Sequence, residues 1–412
     1  MRLRSAMTSL LLVLGCLATL PRPAVAAERD VVLHWNEVAQ NAVVVGRPPG
    51  SALVLHGIVA VAIYDAVIAV EGGAEPFVSS PAVPKRISVE ATVATAARDV
   101  LVDYVDDVAG QVAYVDRAYD EYMQTVPDGP ATRNGIRAGH RVGTDVLAWR
   151  QGDGFDNVVP WVQPPPGPGV FEPAPTPTPV DVKLTQVDPL TFTDNAKFRP
   201  TALAAMTSDA YTEAFNEVKA YGRIDSAVRT PAQTQVALFW SENTTIQWPR
   251  ALRALAVQED LGITQTARMF ALALVSGADS ILACFDAKYH YTFWRPFHAV
   301  PRADTDGNPA TEADITWRPL LMVNHPEYPG AHGCYTTAVT RALTSFFGTD
   351  QMTFTVESTV TGTSSTFDRF SEAAQEVYDA RTWAGLHFRT STMVGAGIGR
   401  AVERHVARNF FS

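Results

Sequence analysis

Cysteine is scarce in this sequence, and no two cysteines lie close together. Three cysteines occur among 412 residues, and the lack of a Cys-x-x-Cys motif argues against a cysteine-ligated metal centre or an attached haem. Cys284 and Cys334 remain once an N-terminal segment containing Cys16 is set aside. The sequence leaves open whether these two form one disulfide or stay as free, buried thiols.

Basic residues are also fewer than acidic residues. The chain has 33 Lys and Arg against 43 Asp and Glu, a formal net charge of -10. A general nucleic-acid binder needs a basic surface, so this balance excludes that class, and we expect no nucleic acid among the partners. Hydrophobic residues make up 47% and charged residues 18%, which is typical of a globular protein. Any anion site must therefore concentrate positive charge locally.

Long apolar runs are confined to the N-terminus. Beyond it, no uninterrupted run reaches the roughly 18 residues of a membrane-spanning helix, so we predict no transmembrane anchor. The N-terminus has two arginines, a leucine-rich run at 10–14 and an Ala-x-Ala cleavage site at Ala24–Ala26. This pattern predicts a signal peptide over 1–26 and a secreted or periplasmic protein. The alternative is a lipoprotein cleaved before Cys16.

Most of the remaining chain has helical periodicity, with no internal repeat and no long strand alternation. The prolines of PPPGPG and PAPTPTP cannot lie inside helices. We predict an all-α fold with one helical bundle at 27–155, a long proline-rich connection at 156–200 and a second bundle at 201–412 that carries the functional site. The helical patterns cover 51–70, 88–106, 110–126, 130–152, 208–221, 230–258, 263–293, 332–347, 368–386 and 391–410.

Three clusters of basic residues stand out in the C-terminal half. The first is Lys288 and Arg295 in KYHYTFWRP. Their spacing of seven places both on one helix face, and Pro296 ends the helix. A solvent-facing basic stripe is the alternative. The four aromatic residues between the two cations favour a partly buried setting, in which cations need an anionic partner.

The second and third clusters add two imidazoles and another cation. His332 in PGAHG precedes a helical pattern, and the small residues let backbone N–H groups at an electropositive helix start approach a ligand. A glycine-rich turn with a capping histidine is the alternative. In ARTWAGLHFR, Arg381 and His387 flank Gly385, which permits close backbone approach.

None of the three clusters contains a carboxylate. Three cations, two imidazoles and several glycines, without acids, form a pocket suited to a multiply charged tetrahedral oxyanion. The sequence therefore predicts a site for phosphate or a phosphate-like anion. The histidines that lie near the clusters, and are candidates for an indirect supporting role, are His290, His298 and His325.

In this order and spacing, the clusters resemble the superfamily of vanadium-dependent haloperoxidases and type 2 phosphatidic acid phosphatases. Its signature is Lys-x6-Arg-Pro, then Pro-Ser-Gly-His, then Ser-Arg-x5-His. The first motif is complete at 288–296, and the third lacks only its leading serine, which is Ala380 here. A looser likeness to bacterial vanadium haloperoxidase-like proteins extends over most of the chain.

The chain departs from the family pattern at two sites. Gly330 stands where the family has serine and Ala331 where it has glycine, so a hydroxyl donor to the oxyanion is missing. We expect backbone N–H groups to replace it in part. Ser391 stands where family members often have an aspartate that orients the second histidine. Either Ser391 or another carboxylate, such as Asp379, would then orient His387.

The resemblance implies a vanadium chloroperoxidase-like pair of helical bundles and a vanadate cofactor, with phosphate as a competing occupant. It assigns catalytic roles to Lys288, to His332 as the acid–base residue, and to His387 as the axial vanadium ligand. The residues that would bind the oxyanion offer a basic side chain or a backbone N–H group: Lys288, Arg295, Gly330, Ala331, Arg381 and His387.

Three functions remain open at this stage. In a vanadate-dependent haloperoxidase, hydrogen peroxide oxidises a halide without a change in the metal's oxidation state. In a secreted acid phosphatase, His387 attacks the phosphorus of a phosphate monoester and His332 protonates the leaving oxygen. The third is a non-catalytic phosphate-binding protein. The likeness over the whole chain favours the haloperoxidase, with small-molecule substrates, and a homodimer is left open.

Overall fold

The computed structural model describes residues 30–105, 108–201 and 203–411. The predicted signal peptide at 1–26 and the alternative cleavage before Cys16 lie outside these ranges. Within them the chain forms thirteen α-helices, three short 3-10 helices and one two-stranded antiparallel sheet. The all-α prediction is therefore confirmed.

The helices are numbered in chain order. In the first part of the chain they are α1 (Val31–Val43), α2 (Pro49–Glu71), α3 (Val89–Val105), α4 (Gln111–Met123) and α5 (Pro130–Arg150). In the second part they are α6 (Asp209–Tyr221), α7 (Pro231–Phe239), α8 (Thr244–Gln258), α9 (Ile263–Tyr291), α10 (Pro296–Ala299), α11 (Ala331–Phe347), α12 (Phe370–Trp383) and α13 (Arg389–Asn409).

Two apolar helices, α2 and α9, cross at the centre of the molecule. Every residue from 50 to 68 of α2 is buried, as expected for a helix that is apolar on all sides. Gly57 allows the close approach, because a Cβ there would lie 2.8 Å from Cβ of Ala278 on α9. The largest hydrophobic core therefore contains side chains from both sides of the proline-rich connection, across the predicted boundary between the bundles.

By length and composition alone, α2 and α9 could each span a membrane, but their most apolar windows are 89% and 100% buried within the protein. The burial identifies both as core helices of the described chain. Their apolar faces are covered by neighbouring helices, which accounts for their hydropathy without a lipid environment.

The proline-rich connection is held against the helices by two buried carboxylates. Asp181 accepts hydrogen bonds from the backbone N–H groups of Gly50 and Ser51 at the start of α2, at 3.0 and 3.1 Å. Asp279 of α9 accepts a 2.6 Å hydrogen bond from the backbone N–H of Leu190. Short 3-10 helices at Val182–Thr185 and Asn195–Phe198 lie within the connection, which passes close to the C-terminal end of α9.

Helices α11 and α13 approach each other through glycines. A Cβ at Gly333 would lie 2.3 Å from the carbonyl oxygen of Thr392, and a Cβ at Gly395 would lie 2.3 Å from that of Gly330. Both distances are shorter than any normal contact, so only glycine fits. This packing places the start of α11 directly beside the start of α13, where the second and third basic clusters lie.

Four details of the sequence prediction were wrong. Helix α9 ends at Tyr291, so Arg295 lies outside it and does not share a helix face with Lys288, and Pro296 begins α10 instead of ending α9. Residues 351–369 form a hairpin of β1 (Gln351–Ser358) and β2 (Thr363–Arg369). Met352, Phe354 and Val356 alternate with exposed residues along β1, a two-residue period that the sequence analysis overlooked. The predicted helix at 230–258 is two helices, because Asn243 caps a new one. Helix α1 was not predicted, although the Asp30 side chain caps it.

Candidate active site

Residues of the second and third basic clusters line one cavity. It has a volume of about 260 Å³ and lies between α2, the connection, α9 and the start of α11. Ala331, His332, Arg381 and His387 line it. Residues 50 positions apart in the sequence therefore face one space. The two cations of the first cluster lie behind the wall of this cavity.

Lys288 is fully buried near the end of α9. Its Nζ donates hydrogen bonds to the carbonyl oxygens of Pro326, Glu327 and Pro329, at 2.9, 3.1 and 2.5 Å. An ammonium group has three N–H donors, so all of them are used. Burial lowers the pKa of Lys288 to about 8. In this structure Lys288 fixes the loop that leads into α11 and adds positive charge from behind it.

Arg295 joins the first cluster to the third. It is fully buried, and its Nη1 donates to the carbonyl oxygen of Leu386 at 2.7 Å and lies 3.1 Å from Nε2 of His387. Its Nε donates to the carbonyl oxygen of His325 at 2.7 Å, and Nη2 lies 2.8 Å from Nδ1 of the same residue. Burial lowers the pKa of Arg295 to about 10.

The tautomer of His387 follows from its two neighbours. Arg295 can only donate hydrogen bonds, so Nε2 of His387 is an acceptor and the ring proton lies on Nδ1. Nδ1 then donates to Oε1 of Glu327, 2.8 Å away. Burial lowers the pKa of His387 well below its usual value, and the positive charges of Arg295, Lys288 and Arg381 lower it further. His387 is thus a neutral imidazole with its lone pair at Nε2.

Glu327 is the carboxylate that orients His387, and the sequence analysis did not identify it. It is fully buried, and its Oε1 also accepts the backbone N–H of Phe388 at 3.0 Å. Burial raises the pKa of Glu327 to about 7, against the opposing effect of Arg295 and Lys288. A carboxylate between the two prolines of HPEYP, five positions before His332, is the sequence signal that could have identified it.

The two residues expected to orient His387 have other partners. Asp379 forms an ion pair with Arg389, with Oδ1 and Nη1 2.5 Å apart. Ser391 donates from Oγ to the backbone carbonyl of Glu327 at 3.3 Å, and its hydroxyl also lowers the pKa of the Glu327 carboxyl, so it contacts Glu327 and not the imidazole. The expectation for Asp379 was wrong because the nearby guanidinium of Arg389 pairs with its carboxylate.

Gly330 has a structural role in place of the expected donor role. Its backbone N–H donates to the carbonyl oxygen of Ser391 at 3.0 Å, so this group does not replace the missing serine hydroxyl. A Cβ at position 330 would lie 2.9 Å from Cα and 3.1 Å from Oγ1 of Thr392. Ala331 begins α11 and lines the cavity, where the first N–H groups of a helix have no partner within the helix.

Arg381, from the third basic cluster, and His332, from the second, both line the cavity. Nη1 of Arg381 donates to the carbonyl oxygen of Trp240 at 3.1 Å, whereas its buried Nε has no hydrogen-bond partner within the described residues. Burial lowers the pKa of Arg381 to about 9. Nε2 of His332 lies 3.3 Å from Oγ1 of Thr244. Burial and the charge of Arg381 lower the pKa of His332 well below its usual value, so the imidazole is neutral.

The nearby histidines divide into three cases. His325 lines the cavity and contacts Arg295, while Nδ1 of His298 accepts a 3.4 Å hydrogen bond from the backbone N–H of Arg295. His290 is exposed. The open question about the cysteines is also answered: Cys284 and Cys334 are free, buried thiols.

The donor set fits an oxyanion. The described residues contain no group of three His, Cys, Asp or Glu side chains that could hold a metal ion. They do place the guanidinium side chain of Arg381, two neutral imidazoles and the first turn of α11 around one cavity. Vanadate and phosphate carry their own oxygen ligands, so both match this set of donors.

Comparisons with known proteins agree with this arrangement. Residues 268–411 match the family model of the VCPO second helical-bundle domain. Vanadium chloroperoxidase from Curvularia inaequalis is 29% identical over 151 residues, 30% of this chain and 24% of that protein. The match therefore spans about a quarter of that relative's length.

Solved structures resemble the chain over nearly its whole length. The first bacterial vanadium-dependent iodoperoxidase structure has a TM-score of 0.78 at 19% identity, covering 93% of this chain and 96% of that one. A holo-type bacterial vanadium-dependent chloroperoxidase has a TM-score of 0.72 at 15% identity, covering 89% and 93%. The chain therefore has the predicted vanadium chloroperoxidase-like fold.

Proposed function

We propose that the protein, whose residues 268–411 match the family model of the VCPO second helical-bundle domain, is a vanadate-dependent haloperoxidase that oxidises a halide with hydrogen peroxide. The observation that carries the proposal is the state of His387. Its proton is fixed on Nδ1 by Glu327, and its Nε2 lone pair accepts a hydrogen bond from Arg295 in this structure, a bond that vanadate would replace when it takes this nitrogen as a ligand. A neutral imidazole nitrogen among buried cations can both ligate vanadium and tolerate the charge of the anion.

Bound vanadate would supply the centre at which hydrogen peroxide is activated toward halide. His387 would hold it through Nε2, and the guanidinium groups of Arg295 and Arg381 would neutralise its oxygens. The guanidinium of Arg381 lines the cavity and spends Nη1 on the carbonyl oxygen of Trp240. Lys288 acts from behind, through the loop it fixes.

His332 is the proton-transfer group on the cavity side. It is neutral and lines the cavity, so it could accept a proton released when hydrogen peroxide, by itself only a weak acid, is activated in the site. Oγ1 of Thr244 can donate to or accept from Nε2, which supports the ring in either tautomer. Burial among Arg381, Lys288 and Arg295 makes the imidazolium short-lived, which favours return of the proton to the product.

The test compares purified apoprotein with and without orthovanadate. Peroxide-dependent halogenation of a phenolic dye with bromide or iodide is measured, and hydrolysis of a phosphate monoester is measured separately. We expect halogenation that depends on vanadate and is lost in His387→Ala but kept in the exposed control His290→Ala. Ester hydrolysis inhibited by vanadate, without halogenation, would instead identify the phosphatase; anion binding without either activity would identify a binding protein.

We also propose that the protein is exported, on the strength of the signal-peptide pattern at 1–26. An N-terminal sequence of protein purified from its natural source tests this. A start at residue 27 supports the signal peptide, and a lipid-modified Cys16 at the N-terminus supports the lipoprotein alternative.

A further inference from the structure

The wall of the cavity that leads to the anion site is largely apolar. Its apolar side chains come from four segments that are distant in sequence: Leu53 on α2, Val180 in the connection, Ile281 and Phe285 on α9, and Val323 in the loop before α11. At the inner end, this wall meets His332, Arg381 and His387. An apolar entrance is thus joined to a cationic end.

Polar groups in the outer wall are already engaged with the protein. The carboxylate of Asp181 accepts hydrogen bonds from Gly50 and Ser51. The amide of Asn324 accepts a hydrogen bond from the backbone N–H of Ala174 and donates to carbonyl oxygens of the connection. A charged organic molecule resting against this wall would gain few replacement hydrogen bonds there, so binding at the wall favours a neutral, apolar molecule, whereas small anions bind at the cationic end.

The volume exceeds what a halide and a peroxide molecule need. A cavity of about 150 Å³ with apolar walls can hold benzene, and drug-sized ligands occupy roughly 300–1,000 Å³. At about 260 Å³, this cavity suits a single substituted ring. We propose that it binds a neutral, single-ring aromatic or similarly apolar organic molecule as the acceptor of the halogen. The chemical step rests on the proposed haloperoxidase function, whereas the binding rests on the wall alone.

The reaction balances with reactants of the proposed function. Halide, hydrogen peroxide and one proton give hypohalous acid and water, in which the halide loses two electrons and the peroxide oxygens gain two. The ring then attacks the halogen, the carbon–halogen bond forms, and the ring proton leaves with the hydroxide as a second water. With the ring held in the cavity, the second step takes place before hypohalous acid escapes.

Binding to the apoprotein tests the wall without any catalysis. Isothermal titration with phenol, 4-methylphenol, 4-ethylphenol and 4-propylphenol should show affinity rising about fourfold for each added methylene. Tyramine, which is 4-ethylphenol with a terminal ammonium group, should bind at least about tenfold more weakly than 4-ethylphenol. No binding, affinity independent of chain length, or equal affinity for tyramine would each overturn the proposal.

Variants locate the binding. Val180 is half-buried and belongs to none of the core clusters, so Val180→Trp should fill the entrance and weaken 4-ethylphenol binding about tenfold or more. Val323→Trp tests the adjacent part of the wall, next to Asn324, whose carbonyl oxygen accepts the backbone N–H of Val180, if Val180→Trp does not fold, as judged by thermal unfolding. Val360→Trp is the control, because Val360 is exposed in the β1–β2 turn, and it should bind 4-ethylphenol like the wild type. Unchanged binding in both cavity variants would overturn the assignment.

Product analysis tests the acceptor role. With phenol as the acceptor, the vanadate-loaded enzyme should give a ratio of 2-bromophenol to 4-bromophenol different from that of reagent hypobromite, and Val180→Trp should move the ratio toward that of the reagent. An isomer ratio equal to the reagent's in the wild type would overturn the acceptor role. If no halide is oxidised at all, the proposed function fails, while the titrations still decide whether the cavity binds a neutral ring.

A second observation concerns the missing serine hydroxyl. Oγ1 of Thr392 is fully buried and has no hydrogen-bond partner within the described residues. It lies 3.1 Å from the position that a Cβ at Gly330 would occupy, which is where the family serine begins its side chain. An unpaired buried hydroxyl is costly unless a ligand uses it. We propose that Thr392 supplies, from α13, the oxyanion hydroxyl that Gly330 lacks.

The variant Thr392→Val removes this hydroxyl and keeps the shape of the side chain. Phosphate and vanadate binding to the apoprotein, measured by titration, should weaken by about tenfold or more, because one hydrogen bond to an anion is lost. The control is Thr336→Val on α11, since Thr336 is also buried with an unpaired hydroxyl but lies more than one helical turn beyond Gly330. Equal anion affinity in Thr392→Val and the wild type would overturn the role, whether or not the enzyme has haloperoxidase activity.

Discussion

Nδ1 of His387 lies 2.8 Å from Oε1 of Glu327, and both side chains are buried. The pair brings together two residues that are 60 positions apart, one from the loop before α11 and one from the loop before α13. The same carboxylate oxygen accepts the backbone N–H of Phe388. Glu327 therefore sets the position, the tautomer and the backbone of His387 together, the role that the resemblance assigned to an aspartate at position 391.

Replacement of Glu327 by Gln should weaken vanadate binding by about tenfold to a hundredfold, the usual effect of losing the carboxylate that orients a ligating histidine. The amide can present its oxygen to Nδ1 but carries no negative charge among Lys288, Arg295 and Arg381. Vanadate titration measures the affinity, and the ¹⁵N shifts of the His387 ring measure the tautomer. The proton should leave Nδ1 for part of the population.

A merely structural role for Glu327 would give a different result. Glu327→Gln would then lower thermal stability while leaving the ¹⁵N shifts of His387 and the vanadate affinity of the folded protein unchanged. Ser391→Ala is the companion variant, because Ser391 contacts the backbone carbonyl of Glu327 and not the ring. It should alter vanadate affinity by less than about threefold, equivalent to the neutral hydrogen bond it loses.

Arg295→Ala should weaken vanadate binding by about a hundredfold, because the variant removes a buried guanidinium that reaches the anion ligand His387. Arg295→Lys should recover little of this affinity. An ammonium group cannot bond the carbonyl of Leu386, His325 and the imidazole of His387 with the planar geometry of the guanidinium. The control is Arg302→Ala, which breaks a partly exposed ion pair with Glu172 and should bind vanadate like the wild type. Normal vanadate affinity in Arg295→Ala would remove Arg295 from the anion site.

The sequence predicted the features that depend on interactions between neighbouring residues. The 3.6-residue period and the prolines predicted most helices and the long connection, because both depend on neighbouring residues. The basic clusters were recognised for the same reason, since Lys288 and Arg295 or Arg381 and His387 are close in the chain. Their distribution around the cavity was not predictable: Lys288 lies behind the wall because three carbonyl oxygens of a loop 38 to 41 residues away surround its ammonium group.

The sequence could not predict contacts between segments that are distant in the chain. Glu327 stands outside every basic cluster, and only the fold of the loop before α11 brings it to His387. Thr392 is a second example, because only the close packing of α13 against Gly330 brings its hydroxyl near the position of the missing serine. A hydroxyl on one helix that replaces a hydroxyl missing from another can be recognised only when the positions of both helices are known.

The pH dependence of stability should report on Asp279, which anchors the connection to α9. Burial raises its pKa from 3.8 to about 6. Between these values the folded state binds more protons than the unfolded state, so this residue's contribution to stability falls as the pH rises from about 4 to 6. Denaturant unfolding at both pH values should show a smaller decrease in Asp279→Asn than in the wild type. An identical pH dependence in the two proteins would show that Asp279 is ionised normally in the fold.

The close approach of α11 and α13 should be as important for anion binding as any charged side chain. Gly395→Ala would place a Cβ 2.3 Å from the carbonyl oxygen of Gly330, so the start of α11 must move. We expect a loss of stability of about 1–3 kcal/mol together with weaker phosphate and vanadate binding. Gly397→Ala, two residues on in the same helix, meets only the far end of Arg400 at 3.8 Å and should stabilise α13 by up to about 1 kcal/mol. Thermal unfolding and anion titration of the two variants separate helix propensity from packing, and anion affinity retained in Gly395→Ala would show that the start of α11 does not contribute to the site.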